Sequence, residues 1–67
     1  MKRTVTVRKN NASFELRLIG IRDGIMKVAS TEKTRAFGVP EYFTCIYSSD
    51  LHSTYRGNNG WSVSIWY

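Results

Sequence analysis

The stretch Arg3-Thr4-Val5-Thr6-Val7-Arg8-Lys9-Asn10-Asn11-Ala12-Ser13-Phe14-Glu15-Leu16-Arg17-Leu18 decides the fold. Val5 and Val7 alternate with Thr4, Thr6 and Arg8, and Phe14, Leu16 and Leu18 alternate with Glu15 and Arg17. A period of two places one set on each side of a pleated strand, so both halves read as half-buried strands. Asn10-Asn11 lies between them, and Asn tolerates the positive φ that a tight turn needs. Residues 3–19 are therefore predicted to be an antiparallel hairpin.

Outward from the hairpin the same period continues. Asp23-Gly24 is a turn signal, and Ile25-Met26-Lys27-Val28-Ala29 reads as a third strand. The pattern breaks at residues 30–41. There Thr31 suits the N-cap of a one- or two-turn helix, Glu32 its first turn and Gly38 its C′ position, and Pro40 forbids continuation. Tyr42-Phe43-Thr44-Cys45-Ile46-Tyr47 has strand composition. Residues 48–60 read as a polar loop ending in a tight turn, Gly57-Asn58-Asn59-Gly60. Trp61-Ser62-Val63-Ser64-Ile65-Trp66 then alternates as a fifth strand. The expected fold is one mostly β domain over residues 1–67. It is either a small antiparallel five-stranded sheet or an SH3-like barrel, with one short helical turn near residues 31–37.

Alternation also sorts the side chains. The inward set is Val5, Val7, Phe14, Leu16, Leu18, Met26, Val28, Phe43, Cys45, Tyr47, Trp61, Val63 and Ile65. The outward set mixes Thr4, Thr6, Arg8, Glu15, Arg17, Lys27, Thr44, Ser62 and Ser64 with the apolar or aromatic Ile25, Ile46, Tyr42 and Trp66. Phe37 and Val39 are expected to cover part of that apolar surface.

Ten Lys or Arg face five Asp or Glu, a net charge of +5. Residues 1–22 carry six cations (Lys2, Arg3, Arg8, Lys9, Arg17 and Arg22) against Glu15 alone, so the entire excess sits in the first third. Seven of the nine aromatics follow residue 41. At 42% hydrophobic and 13% aromatic residues the chain is too apolar to stay disordered. One cysteine cannot form an internal disulfide, no apolar run approaches the roughly 18 residues of a membrane span, and the charged start is unlike a signal peptide. The expected compartment is the cytoplasm.

The chemistry of catalysis is sparse. One His and one Cys make no zinc site, and the glycines at 57 and 60 precede a strand, without the helix N-terminus that holds phosphate. No cofactor or metal is expected. A ribonuclease would have to draw on His52 as acid or base and Arg56 as charge stabiliser, with Tyr55 and Glu41 in support. Cys45, on an inward strand position, reads as a small buried hydrophobe.

The leading expectation is a non-enzymatic basic module that binds DNA or RNA. Its contacts would be Arg3, Arg8, Lys9, Arg17 and Lys27 to phosphates, with Tyr42 and Trp66 as stacking platforms. The alternative is a protein-binding inhibitor or adaptor that uses Tyr55, Arg56, Trp66 and Tyr67, the residue types that dominate interfaces. In size and compactness alone the chain is similar to small phage accessory proteins that act on a host enzyme or defence complex. So short a chain gains from self-association, and a homodimer through the last strand is the simplest version. The basic hairpin and the aromatic C-terminal half coincide only if residues 3–9 pair with residues 61–66.

Overall fold

The alternating runs fold as strands, joined where the sequence supplies positive φ. A computed structural model describes residues 3–67, and Lys2, one of the six N-terminal cations, lies outside the described residues. Strands β1 (Thr4–Lys9) and β2 (Ala12–Arg22) pair antiparallel in the register Val5↔Leu16 and Val7↔Phe14, with Asn10 at φ 50° in the turn. Asp23 and Gly24, at φ 55° and 76°, reverse the chain into β3 (Ile25–Val28). Two successive positive-φ residues match the right-handed twist of the strands they join.

Helix α1 (Glu32–Ala36) starts where Thr31 predicts. Thr31 and Thr34 form a reciprocal capping box: the Thr34 N–H donates to Thr31 Oγ1 at 3.2 Å and the Thr31 N–H to Thr34 Oγ1 at 2.8 Å. Two otherwise orphaned helix donors are thereby satisfied. Gly38, at φ 77°, ends the helix.

Strand β4 (Tyr42–Ser48) follows, and then a strand that the composition concealed, β5 (His52–Arg56). A 3-10 turn at Asn58–Gly60 leads into β6 (Ser62–Trp66). The order β1-β2-β3-β4-β5-β6 closes into an antiparallel barrel when β6 returns to β1 at Val7↔Val63 and Arg8↔Ser62. The fold is thus a small all-β barrel, with six strands rather than five. His52-Ser53-Thr54-Tyr55-Arg56 escaped notice because Tyr55 is its one large apolar side chain. The other inward position is Ser53, 1% exposed, whose hydroxyl is bonded to Ser48 Oγ at 3.0 Å and Tyr67 Oη at 2.6 Å. A satisfied hydroxyl is tolerated where a lone one would be costly.

Two bulges change the sorting of side chains. The register slips between Cys45 and Tyr47, so Tyr47 pairs with outward Thr54 and Ser48 with buried Ser53. An extra residue inverts every position after it. Tyr47, expected inside, is accordingly 54% exposed. The second slip lies between Leu18 and Gly20 and leaves Ile19 exposed on β2.

The core holds Val5, Val7, Leu16, Met26, Val28, Phe43, Trp61, Val63 and Ile65 as expected, with Phe14, Leu18 and Cys45 half-buried against it. Val39 and Tyr55 join it. Each fully buried member such as Phe43, Met26 or Val7 contributes about 1.5–3 kcal/mol by leaving water. Phe37 does not cover Ile25 or Ile46. It is exposed and packs its ring 5.2 Å from Phe14, which in turn lies 5.8 Å from Trp61. The helical segment therefore closes one end of the barrel, and Ile25 and Ile46 stay exposed. Among the described residues, no helix is long and apolar enough to cross a membrane.

Candidate nucleic-acid interface

Barrel closure decides the geometry of the site. Because β1 runs antiparallel to β6, the start of β1 lies beside the end of β6. A groove of about 600 Å³ lies along this junction, lined by Arg3, Thr4, Val5, Thr6 and Arg8 from one side and Ser62, Ser64, Ile65 and Trp66 from the other. Val5 and Ile65 are buried and form its apolar floor, while the threonine and serine hydroxyls flank it. Arg17 sits one strand further out, opposite Thr4 in the β1–β2 register.

None of the cations on this face is held in an ion pair within 4.0 Å among the described residues. Arg8 neighbours Ser62, and Ser62 neighbours Arg56 on β5, which places two arginines on the outer face with backbones about 10 Å apart across three strands. The outer face carries Arg8, Arg17 and Arg56, Arg3 lines the groove from the start of β1, and Glu15, opposite Thr6, is the carboxylate among these strand positions. Among the described residues, the one ion pair within 4.0 Å is Arg22 with Asp23, elsewhere on the barrel.

Beside the cations runs an aromatic ladder across three strands. Tyr47 on β4 lies 5.1 Å from the His52 ring on β5, and His52 stacks on Trp66 of β6 at 4.3 Å with an interplanar angle of 20°. His52 takes the side of Trp66 that faces β5, and Trp66 lines the groove on the side that faces β1. Trp66 remains 69% exposed.

Not every expected contact belongs here. Lys9 lies at the opposite end of β1 from Trp66, with its side chain along Gly60. Lys27 and Tyr42 pair with each other across β3 and β4, the ammonium 5.5 Å from the ring centroid. Tyr42 is five residues along β4 from Tyr47, about 17 Å away. The pair borders a separate, mostly apolar depression with Ile19, Ile21 and Ile25. Tyr55, expected on a partner-binding surface, is 5% exposed because its β5 position points inward. Burial pushes its phenol pKa up from 10.0, with smaller contributions from Cys45 and Tyr67.

The possible ribonuclease set is not assembled. His52 and Arg56 are four residues apart on one strand, about 13 Å, Tyr55 faces inward, and Glu41 accepts a hydrogen bond from Ser30 Oγ at 3.0 Å. No group of three or more His, Cys, Asp or Glu among the described residues is placed to hold a metal ion.

Sequence reasoning missed Tyr47 as an exposed residue, and it singled out His52 only as a ribonuclease acid or base, not as a member of a ring stack on a strand. The first was hidden by a bulge that no residue type announces. The second was legible in principle: Thr54 and Tyr55 favour strands, and His52, Thr54 and Arg56 alternate with Ser53 and Tyr55. Compared with known proteins, the chain matches no family, no curated protein and no solved structure.

Proposed function

We propose that this protein is a nucleic-acid-binding module, working through the groove between β1 and β6. The observation that carries the reading is one groove lined by Arg3, Arg8 and Trp66, with the exposed end of the Tyr47–His52–Trp66 ladder toward Arg3 and with Arg17 and Arg56 on the strands that flank it. Cations tracking phosphates beside a stacked ring are the two components from which sequence-tolerant strand binding is built. The arginines supply affinity through released counterions, and the ring supplies contact with a base.

The test is binding of DNA and RNA oligonucleotides across a salt series. Affinity is expected to fall steeply with salt. Arg8→Ala is expected to reduce the log–log slope by about 0.7–0.9, the contribution of one phosphate contact. Absence of binding at low salt, or binding indifferent to salt, would overturn the reading.

A second reading, a protein-binding module, rests on an apolar cluster at the same end of the barrel. Leu51, Trp66 and Tyr67 are each at least 69% exposed, and the Tyr67 N–H donates to the Leu51 carbonyl at 2.9 Å. Under that reading a stoichiometric protein partner survives nuclease and high salt, and Leu51→Ser weakens its capture.

A further inference from the structure

The β1–β6 ladder stops short. Both strands continue past Val7↔Val63, yet no register pair joins Thr4–Thr6 to Ser64–Trp66, and the groove occupies the gap. Every other neighbouring pair of strands in the barrel is joined over three to six residue pairs, against two here. The barrel is therefore parted along half of one junction.

Main-chain parity indicates what the parting exposes. The Leu18 N–H donates to the Arg3 carbonyl at 2.7 Å, so the polar main chain of Arg3 faces β2. That of the next residue, Thr4, faces β6, because successive peptide groups along a strand point to opposite neighbours. On the other side the Tyr67 N–H donates to Leu51, toward β5, so the main chain of Trp66 faces β1. The parted junction thus offers backbone donors and acceptors from both walls, hydroxyls from Thr6 and Ser64, and an apolar floor. Its open end holds the Trp66 ring, one face already occupied by His52.

We infer that this junction is a slot for a single unpaired nucleobase, so that the ligand is a single strand rather than a duplex. This inference rests on the nucleic-acid reading above and makes it more specific. A base entering the slot stacks on the free face of Trp66 and presents its hydrogen-bonding edge to the hydroxyls and main chain of the walls. Its flanking phosphates reach Arg3 and Arg8 on the rims, whose Cα atoms are about 17 Å apart along β1. The volume lies within the roughly 300–1,000 Å³ of small-ligand sites. In a duplex the same edge is paired and both faces are stacked, so filling the slot would require extruding the nucleotide at a cost of a few kcal/mol. His52 acts as a positioning residue: by covering one side of Trp66 it keeps the ring upright at the mouth.

Tryptophan fluorescence tests this directly, because Trp61 is 1% exposed and Trp66 is the accessible indole. Single strands of about eight nucleotides, dT and dA homopolymers, are titrated beside a duplex of the same length at low salt. Single strands are expected to quench Trp66 and to bind more tightly than duplex. Trp66→Ala is expected to weaken single-strand binding about 5- to 150-fold, the equivalent of one lost base stack, and to weaken duplex binding less. Trp66→Phe should retain most of the affinity and lose the quench, which separates stacking from misfolding. His52→Ala is expected to weaken single strands more than duplex. Equal, salt-dependent binding of both forms without quenching would overturn the slot and leave the nucleic-acid reading standing. Failure to bind either form, with the RNA oligonucleotides of the salt series also unbound, would remove both.

Discussion

Gly57→Ala isolates the contribution of one methyl group to this small core. Gly57 joins β5 to the 3-10 turn with φ −108° and ψ −176°, extended backbone open to any residue, so no conformational penalty accompanies the change. What opposes it is space. A Cβ at Gly57 would lie 2.5 Å from Pro40 Cγ and 2.9 Å from both Cδ2 and Cε2 of Phe43. Carbon atoms pack best at about 3.5–4.0 Å, so the overlap is roughly 1 Å against the proline ring and somewhat less against the phenyl. Neither neighbour yields readily. Phe43 is fully buried, the proline ring is stiff, and the Gly57 N–H is bonded to the Trp61 carbonyl at 2.8 Å. Overpacking of this kind costs about 1–3 kcal/mol. The whole domain, at about 0.05–0.15 kcal/mol per residue, has only about 3–10 kcal/mol to lose. A loss near 2 kcal/mol lowers the melting temperature by about 8–16 °C in a chain of this size.

Thermal melts followed by circular dichroism measure the effect, with Gly20→Ala as comparator. Gly20 has nothing within 4 Å of an added Cβ and no positive φ. Its substitution is expected to be neutral, or stabilising by about 0.4–1 kcal/mol through a stiffer unfolded chain. A Gly57→Ala protein melting within about 3 °C of the native one would refute the packing argument, as would a Gly20→Ala protein that melts well below it.

Three further outcomes are expected. Thr34→Ala removes half of a capping box from a buried position, 2% exposed, and should cost about 1 kcal/mol while accelerating amide exchange at Thr31. Ser53→Ala breaks the hydroxyl bonds to Ser48 and Tyr67 and should cost about 1 kcal/mol, visible as a lower denaturant midpoint with an unchanged slope. Tyr55 sets an alkaline limit. Burial raises its folded pKa above the unfolded value of 10.0, so its contribution to stability is complete below pH 10 and is lost as pH rises through the folded pKa. Denaturant midpoints measured from about pH 9 upward should begin to decline near pH 10 and level off beyond the folded pKa, and Tyr55→Phe should flatten the decline.

The expectations that held are those carried by local chemistry. Asn10 and Asp23-Gly24 adopt positive φ, Thr31 caps α1 and Gly38 ends it, and the alternating apolar residues of β1, β3 and β6 are buried. Each depends on a residue's own backbone preference or on a period of two, and both are visible without knowing what lies opposite. The misplaced elements depended on partners. β5 is a strand because β4 and β6 flank it, and its inward Ser53 is tolerated because Tyr67, fourteen residues later, supplies a hydroxyl. Tyr47 faces outward because the register slips one residue before it.

The amino-acid order by itself determined that this chain is a mostly β domain, with a basic first hairpin and an aromatic second half. Charge and side-chain period are properties of the chain and survive any arrangement of its strands. Whether the cations and the rings meet was not among those properties. Only closure of the barrel through Val7↔Val63 and Arg8↔Ser62 set Arg3, Arg8 and Trp66 along one groove, and sent Lys9, Lys27 and Tyr42 elsewhere. That closure joins residues more than fifty positions apart. No short-range preference encodes such a pairing, because it is the burial of the complete inward face that selects it.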